Sequence, residues 1–353
     1  MSILVVALLV LIAALAAAAS CNLLIQAGIA DAPDYRRKAH KAAVPTSGGL
    51  GVAIGASLAI AVAIWLARPY WSEGAAPGSA MGVAAAWVFG FAALGIGLLD
   101  DLMDVNAGPK FGWIALLSLL FAMFVVRIDT LALWPGMTLA FGPVLGVLGT
   151  ALWLFVMANG VNFMDGANGL AMGSMAVGLL ALAAYAFWGG APAPALAALL
   201  LAAALVGFLY WNFPNGRLFA GDAGSLFVGF TAGALALVAI REAHLPVLLA
   251  PLLFLPLLAD VLLTMAWRVK HKRNLLQAHR DHLYQVAIRA GATHKRIAIA
   301  YWLAMLHCAL AAGVSLAFGD AGALAAFVVT VLLAVYLSFH GRRFAAAHGL
   351  DAP

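Results

Sequence analysis

The chain has 353 residues, 65% of them hydrophobic, and carries a formal net charge of +5. A mean hydropathy of +1.04 is more apolar surface than a soluble globule of this length can hide, so the bilayer is the solvent for most of it. The basic excess belongs to inter-helix loops, where a positive-inside bias explains it more economically than nucleic-acid binding. Cys21 and Cys308 both lie in apolar runs, which excludes a disulfide framework or a thiolate metal site.

Apolar windows recur along the chain, separated by short polar or Gly/Pro-marked breaks. The first, ending A-A-A-A-S-C at Cys21, faintly resembles a lipoprotein signal but lacks a basic start, and reads as a retained membrane helix. Helices are expected near 2–25, 47–67, 81–99, 111–127, 141–158, 168–188, 194–211, 224–241, 247–268, 296–318 and 322–340. The expected fold class is therefore all-α, a single polytopic bundle of about eleven crossings with no hydrophilic domain. One set of alternating loops holds Arg36, Arg37, Lys38, Lys41, Lys110, Arg217, most of the basic residues from Arg268 to Arg296, Arg342 and Arg343. The other set holds Arg68, Arg127 and Arg241, so the first is expected in the cytoplasm, with the N-terminus outside and the C-terminus inside.

Polar clusters are rare and fall on that cytoplasmic side. Asp100, Asp101 and Asp104 arrive where the third window leaves the hydrocarbon, in a chain only 9% charged. A mid-membrane acid costs roughly 2.5–3.5 kcal/mol on insertion scales, so such residues sit at edges or in polar cavities. If the helix runs on, Asp100 and Asp104 share a face. Clustered hard oxygen ligands at a membrane edge suggest magnesium, and magnesium suggests phosphates.

Next, N-G-V-N-F-M-D-G-A-N-G-L (159–170) spaces Asn159, Asn162, Asp165 and Asn168 three apart among glycines. This reads as a partly unwound loop where backbone approaches a ligand, with Asn168 a candidate N-cap of the following helix. The stretch G-D-A-G-S places Asp222 before a helix running from Leu226, with Phe213 and Phe219 as stacking surfaces for a base. The loop at 36–50, basic and Gly-marked, passes by itself for a positive-inside loop.

Residues 268–273 are basic and are assigned to anionic membrane lipid, followed by an amphipathic interfacial segment over 275–290 that includes Leu276. Within it, H-R-D-H-L-Y-Q sets His279 and His282 about Arg280, a combination suited to a diphosphate. A His-x-x-His zinc pair is the competing reading, disfavoured by the absence of nearby Cys and by the hard acids elsewhere. Clusters confined to one face argue against a transporter or flippase, whose pathway uses both.

Together these stretches, in order from Arg36 to Gln285, resemble the polyprenyl-phosphate N-acetylhexosamine-1-phosphate transferase superfamily of glycosyltransferase family 4 type. The resemblance implies Mg2+-dependent transfer, with Mn2+ as a possible replacement, at the cytoplasmic face of a bacterial inner membrane. A HexNAc-1-phosphate would pass from a UDP-N-acetylhexosamine to undecaprenyl phosphate with release of UMP, initiating a lipid-linked cell-envelope glycan.

The resemblance also assigns roles. Asp100 handles the lipid phosphate; Asp101, Asp222 and Asn162 serve the metal, with Asp222 part of the catalytic set. Lys110 contacts the diphosphate, Asp165 and Asn168 lie near the nucleotide, and Asn212 and Phe219 lie around the uracil. His279, Arg280 and His282 serve the donor's diphosphate and sugar. Asp104, and H-R-D-H-L-Y-Q in place of a triple-His motif, resemble the O-antigen-initiating branch more than peptidoglycan translocase I, the alternative reading. A CDP-alcohol phosphotransferase is discarded because Asp165-Gly166 is followed by Ala-Asn-Gly. Pairing of two copies as a homodimer is left open.

Overall fold

The computed structural model describes residues 1–27, 45–66, 77–275, 277 and 279–350. Arg36, Arg37, Lys38, Lys41, Arg68 and Leu276 lie outside the described residues. The helices are α1 Ile3–Gln26, α2 Gly48–Leu66, α3 Pro77–Met103, α4 Ala107–Phe124, α5 Gly142–Met164, α6 Leu170–Trp188 and α7 Pro192–Asn212. They continue as α8 Gly221–Ala243, α9 Leu249–Leu253, α10 Leu255–Lys270, α11 Leu283–Arg289, α12 His294–Leu316 and α13 Gly319–Ala347. Among the described residues ten helices are long and apolar enough to cross a membrane, and the chain is a multi-pass helical membrane protein.

The ninth expected window is divided at Phe254 into α9 and α10, because Pro256 has no N–H to give the Leu252 carbonyl. One element was not anticipated. Between α4 and α5, β1 Thr130–Trp134 and β2 Met137–Ala140 form an antiparallel hairpin around Pro135 and Gly136, the latter at φ +82°.

The bundle is organised around α8, whose span is wholly enclosed by its neighbours. Small residues allow the close approach, as expected where lipid offers no hydrophobic drive between helices. A Cβ at Gly229 would lie 2.6 Å from the Met157 carbonyl of α5. Trp153 of α5 donates its indole N–H to the Gly233 carbonyl at 3.0 Å. On the other side of the bundle, a Cβ at Gly55 of α2 would stand 2.5 Å from the Ala17 nitrogen of α1.

Several boundaries differ from expectation. α5 runs on to Met164, so Asn159, Gly160 and Asn162 are helical and only residues 165–169 form the turn. Gly160 serves packing instead, since a Cβ there would stand 3.2 Å from Leu258. α8 begins at Gly221 rather than after Ser225, which puts Asp222 in its first turn. α3 stops at Met103, and Asp104 turns to φ +47° while donating its N–H to the Asp100 carbonyl at 2.9 Å. Asp104 is exposed, whereas Asp100 is buried.

Candidate active site

Three helix ends from different parts of the chain meet at one end of the bundle. Asp100 and Asp101 lie in the last turn of α3, Lys110 in the first turn of α4 and Asp222 in the first turn of α8. Glycines set these approaches. At Gly97 a Cβ would stand 2.3 Å from the Asp222 carbonyl, so only glycine lets α3 lie against the start of α8. Gly49 of α2 faces Gly224, where a Cβ would come within 2.1 Å of the Gly224 Cα. Backbone bonds lace residues 45–49 onto the G-D-A-G-S loop: Gly48 N–H to Phe219 O at 2.9 Å, Gly49 N–H to Ala220 O at 3.0 Å and Phe219 N–H to Pro45 O at 2.9 Å. The described part of the 36–50 loop is thus a wall of this site and not merely a basic connector.

The Lys110 ammonium bridges two carboxylates, 2.6 Å from Asp100 Oδ2 and 2.6 Å from Asp222 Oδ2. The side chains of Lys110 and Asp100 are 12% and 8% exposed, so water screens this contact little. The other Asp100 oxygen, Oδ1, is buried and finds no hydrogen-bond partner among the described residues. Asp101 does something the sequence did not announce. Its Oδ1 accepts the Asp222 N–H at 2.9 Å and its Oδ2 the Ala223 N–H at 3.0 Å, so a residue of α3 caps the first turn of α8. Gly221, at φ +73°, must be glycine here, because a Cβ would lie 2.7 Å from Asp101 Oδ2.

From α5, Asn162 donates to the Ser225 hydroxyl at 2.9 Å, and that hydroxyl donates to the Gly221 carbonyl at 2.9 Å. Asp165 follows at the end of α5. Burial, and then the nearby Asp222 and Asp101 carboxylates, push its carboxyl well above the usual carboxylate range. Lys110 thus meets two carboxylates, Asp100 and Asp222, with Asp101 against the start of α8 beside them.

The donor set fits a hard divalent ion: carboxylate and amide oxygens and, among the described residues, one buried carboxylate oxygen without a partner and no thiolate. Among the described residues no three His, Cys, Asp or Glu side chains converge as a ready-made cage. A magnesium ion held here would take one or two of these carboxylates and complete its shell with waters and phosphate oxygens from a substrate.

Two predicted nucleotide residues serve the walls. Asn212 is buried, accepting the Gly169 N–H at 2.6 Å and donating to the Leu218 carbonyl at 2.8 Å. Asn168 does not cap α6. That position is taken by Gly169 at φ +75°, and the Asn168 amide donates to the Pro214 carbonyl at 2.8 Å. Phe219 is partly exposed beside them. Phe213 instead packs against Trp302, with ring centroids 4.8 Å apart.

The H-R-D-H-L-Y-Q loop joins the site through α5. The His282 ring stacks on Phe163 with centroids 6.1 Å apart, and the Tyr284 hydroxyl donates to the Phe163 carbonyl at 3.1 Å. Gly166 leaves room for that hydroxyl, which would sit 2.1 Å from a Cβ. His279 lies beside His282, centroids 5.0 Å apart, while Arg280 is exposed. Of the expected amphipathic segment over 275–290, the helix is α11, Leu283–Arg289.

Asp281 pairs with the buried Arg268 and, at 3.2 Å, with Arg273. Arg273 and Arg342 each lie over the Trp267 ring, 4.6 and 4.5 Å from its centroid. Arg268 and Arg273 are therefore structural partners of this loop, which corrects their assignment to lipid; Lys270, His271 and Lys272 stay exposed. Burial alone would raise the Asp281 carboxyl, but the Arg268 guanidinium outweighs it, and the group is held below the usual carboxylate range. Burial, then His282 and Arg268, push the His279 imidazole down to about 4.

The predicted residues are thus brought to one end of the bundle, with the hairpin, Arg127 and Arg241 at the other. The family described as Glycosyl transferase family 4 matches residues 83–240. A probable undecaprenyl-phosphate N-acetylglucosaminyl 1-phosphate transferase of Bacillus subtilis (strain 168) is 28% identical over 79% of this chain and 75% of its own length. A decaprenyl-phosphate N-acetylglucosaminephosphotransferase of Mycobacterium leprae (strain TN) is 29% identical over 76% of this chain and 72% of its own. A phospho-N-acetylmuramoyl-pentapeptide-transferase of Mycobacterium bovis (strain BCG / Pasteur 1173P2) is 29% identical over 69% and 77%. Over residues 83–240 the chain is similar to glycosyl transferase family 4, and over more than two thirds of its length it is similar to polyprenyl-phosphate N-acetylglucosamine-1-phosphate transferases, a likeness that supports a membrane sugar-1-phosphate transferase.

Proposed function

We propose that this protein transfers a HexNAc-1-phosphate from a UDP-N-acetylhexosamine to undecaprenyl phosphate at the cytoplasmic face of the membrane. The observation that carries the reading is the Lys110 ammonium held between Asp100 and Asp222, beside Asn162, at the meeting point of three helix ends. An oxygen of the lipid phosphate attacks the sugar-bearing phosphorus. The bond from that phosphorus to the bridging oxygen breaks, its electron pair leaves with UMP, and a lipid diphosphate sugar remains.

The residues divide this work by position and charge, as expected where catalysis is mostly alignment and neutralisation. Lys110, already paired with two carboxylates, stays charged and meets the diphosphate. Asp100 has one oxygen on Lys110; the other, buried and without a partner among the described residues, orients the acceptor phosphate or takes its proton. Asp222, Asp101 and Asn162 would hold magnesium, or manganese in its place, which when bound neutralises charge on the diphosphate. His279, Arg280 and His282 take the donor's diphosphate and sugar, and Phe219 with the Asn212-braced wall takes the uracil.

Asp104 and the H-R-D-H-L-Y-Q loop support a small UDP-HexNAc donor and the O-antigen-initiating branch over the muramyl-pentapeptide donor. The test is UMP release by purified protein given undecaprenyl phosphate and a panel of UDP-HexNAc donors, with UDP-MurNAc-pentapeptide among them. The expected outcome is release with a small UDP-HexNAc. Release with the muramyl-pentapeptide donor alone would move the protein to the peptidoglycan reaction, and release with no donor would overturn the reading.

A further inference from the structure

Beneath the last loop sits a carboxylate that the transfer chemistry above does not use. Asp260 lies in α10, in the apolar run L-P-L-L-A-D-V-L-L, and is 4% exposed. A buried acid in such a run is costly unless every lone pair is used. Here the lone pairs are used. Oδ1 accepts the Leu283 N–H at 2.8 Å and the Thr264 hydroxyl at 3.1 Å. Oδ2 accepts the Tyr284 N–H at 3.2 Å and the Tyr301 hydroxyl at 2.6 Å.

Leu283 and Tyr284 immediately follow His282, so one carboxylate on α10 fixes the backbone that carries this histidine. It also faces the ring: His282 Nδ1 is 3.6 Å from Asp260 Oδ1, and both side chains are almost wholly buried. The ring is held between Phe163, at 6.1 Å, and Tyr284, at 6.0 Å. With Nδ1 turned to Asp260, Nε2 lies on the far side of the imidazole. The assembly is braced again from α13, where Arg342 donates to the Thr264 hydroxyl at 2.8 Å.

We propose that Asp260, with Tyr301, is a positioning residue for the donor. It holds His282 and the start of α11 in the single orientation that meets the UDP-sugar diphosphate. The proposal rests on the reading that the last loop binds the donor.

The test is steady-state UMP release by full-length protein, varying the best UDP-HexNAc at saturating undecaprenyl phosphate and then the reverse. The variants are His282→Ala, Asp260→Asn, Tyr301→Phe and the double variant of the first two. Removing the partner that orients a metal-ligating histidine typically costs about 10–100-fold, and the lower end of that range is taken here for a histidine that meets a diphosphate. Asp260→Asn should therefore raise the donor KM about tenfold or more, and Tyr301→Phe by a smaller factor. The KM for undecaprenyl phosphate should not change, and the double variant should be no worse than His282→Ala. A merely structural role would lower kcat through a smaller active fraction and leave both KM values alone, which would overturn the proposal. A donor KM unmoved by His282→Ala would instead remove the reading beneath it. Tyr301→Phe keeps the test usable where Asp260→Asn does not fold.

Discussion

Asp101 carries a second duty that separates stability from chemistry. Its two oxygens accept the Asp222 and Ala223 amides at 2.9 and 3.0 Å, so the start of α8, the most enclosed helix, is closed by a side chain from α3. In Asp101→Asn one oxygen still accepts, but the other position becomes an NH2 facing a buried N–H. Leaving such a donor unsatisfied costs about 1–3 kcal/mol. In Asp101→Ala both acceptors go, and the cost should rise to about 2–4 kcal/mol by the same reasoning. Removing this charge also relieves repulsion from Asp100 and Asp222. That gain is the smaller effect, because Lys110 sits 2.6 Å from each of them and already offsets their charge.

The assay is thermal unfolding of detergent-solubilised protein in EDTA, where no divalent ion contributes. Asp101→Asn and Asp101→Ala should unfold at progressively lower temperatures than the parent, while both also lose activity. A parental unfolding temperature for Asp101→Ala in EDTA would refute the capping argument and leave Asp101 with metal duty alone.

Other expectations follow from single contacts. Gly97→Ala places a methyl 2.3 Å from the Asp222 carbonyl, so α3 and α8 must part. Overpacking of this kind costs about 1–3 kcal/mol, and UMP release should fall even though no chemical group is lost. Chelation should abolish transfer, with magnesium or manganese restoring it; activity that persists in excess EDTA would contradict the divalent-ion role.

The last loop should loosen in acid. His279 titrates at about 4 when folded against an ordinary 6.5, so the unfolded state binds more protons between those values and stability falls as pH drops through that window. Asp281, held low by Arg268, adds a loss of the same sign once pH falls below its ordinary value. The protection of residues 282–289 against hydrogen exchange, after correction for the intrinsic pH dependence of amide exchange, should fall from pH 7 towards pH 4, and His279→Gln should flatten the upper part of that change.

Much of the bundle was legible because hydropathy reports spans directly. Each expected window contains a helix, and the polar clusters do gather at one end. The errors are local and physical. Glycines in 159–170 were read as loop-formers, which holds for Gly166 and Gly169 in the 165–169 turn, yet Gly160 is helical and makes room for Leu258. In a membrane bundle a glycine reports close packing as often as a turn. The hairpin was hidden by its length, although T-L-A-L-W-P-G-M-T-L-A carries both alternation and a Pro-Gly turn.

Arg268 and Arg273 looked like lipid anchors because their partner, Asp281, lies beyond the exposed residues 270–272. Asp260 was overlooked, because attention went to the clustered acids at the edge of the third window, although a lone acid inside an apolar window is at least as costly. The shared grip of Lys110 on Asp100 and Asp222 could not be read from sequence, since it depends on how α3, α4 and α8 converge.

The most direct measurement follows the β-phosphorus of the donor. Purified protein is given undecaprenyl phosphate and a UDP-HexNAc labelled with 32P at the β-phosphate and with tritium in the sugar. The account predicts that both labels pass together into the lipid fraction in equal amounts, matched by UMP in the water phase. Tritium in the lipid with 32P retained in soluble UDP would show transfer of the sugar alone and would contradict it.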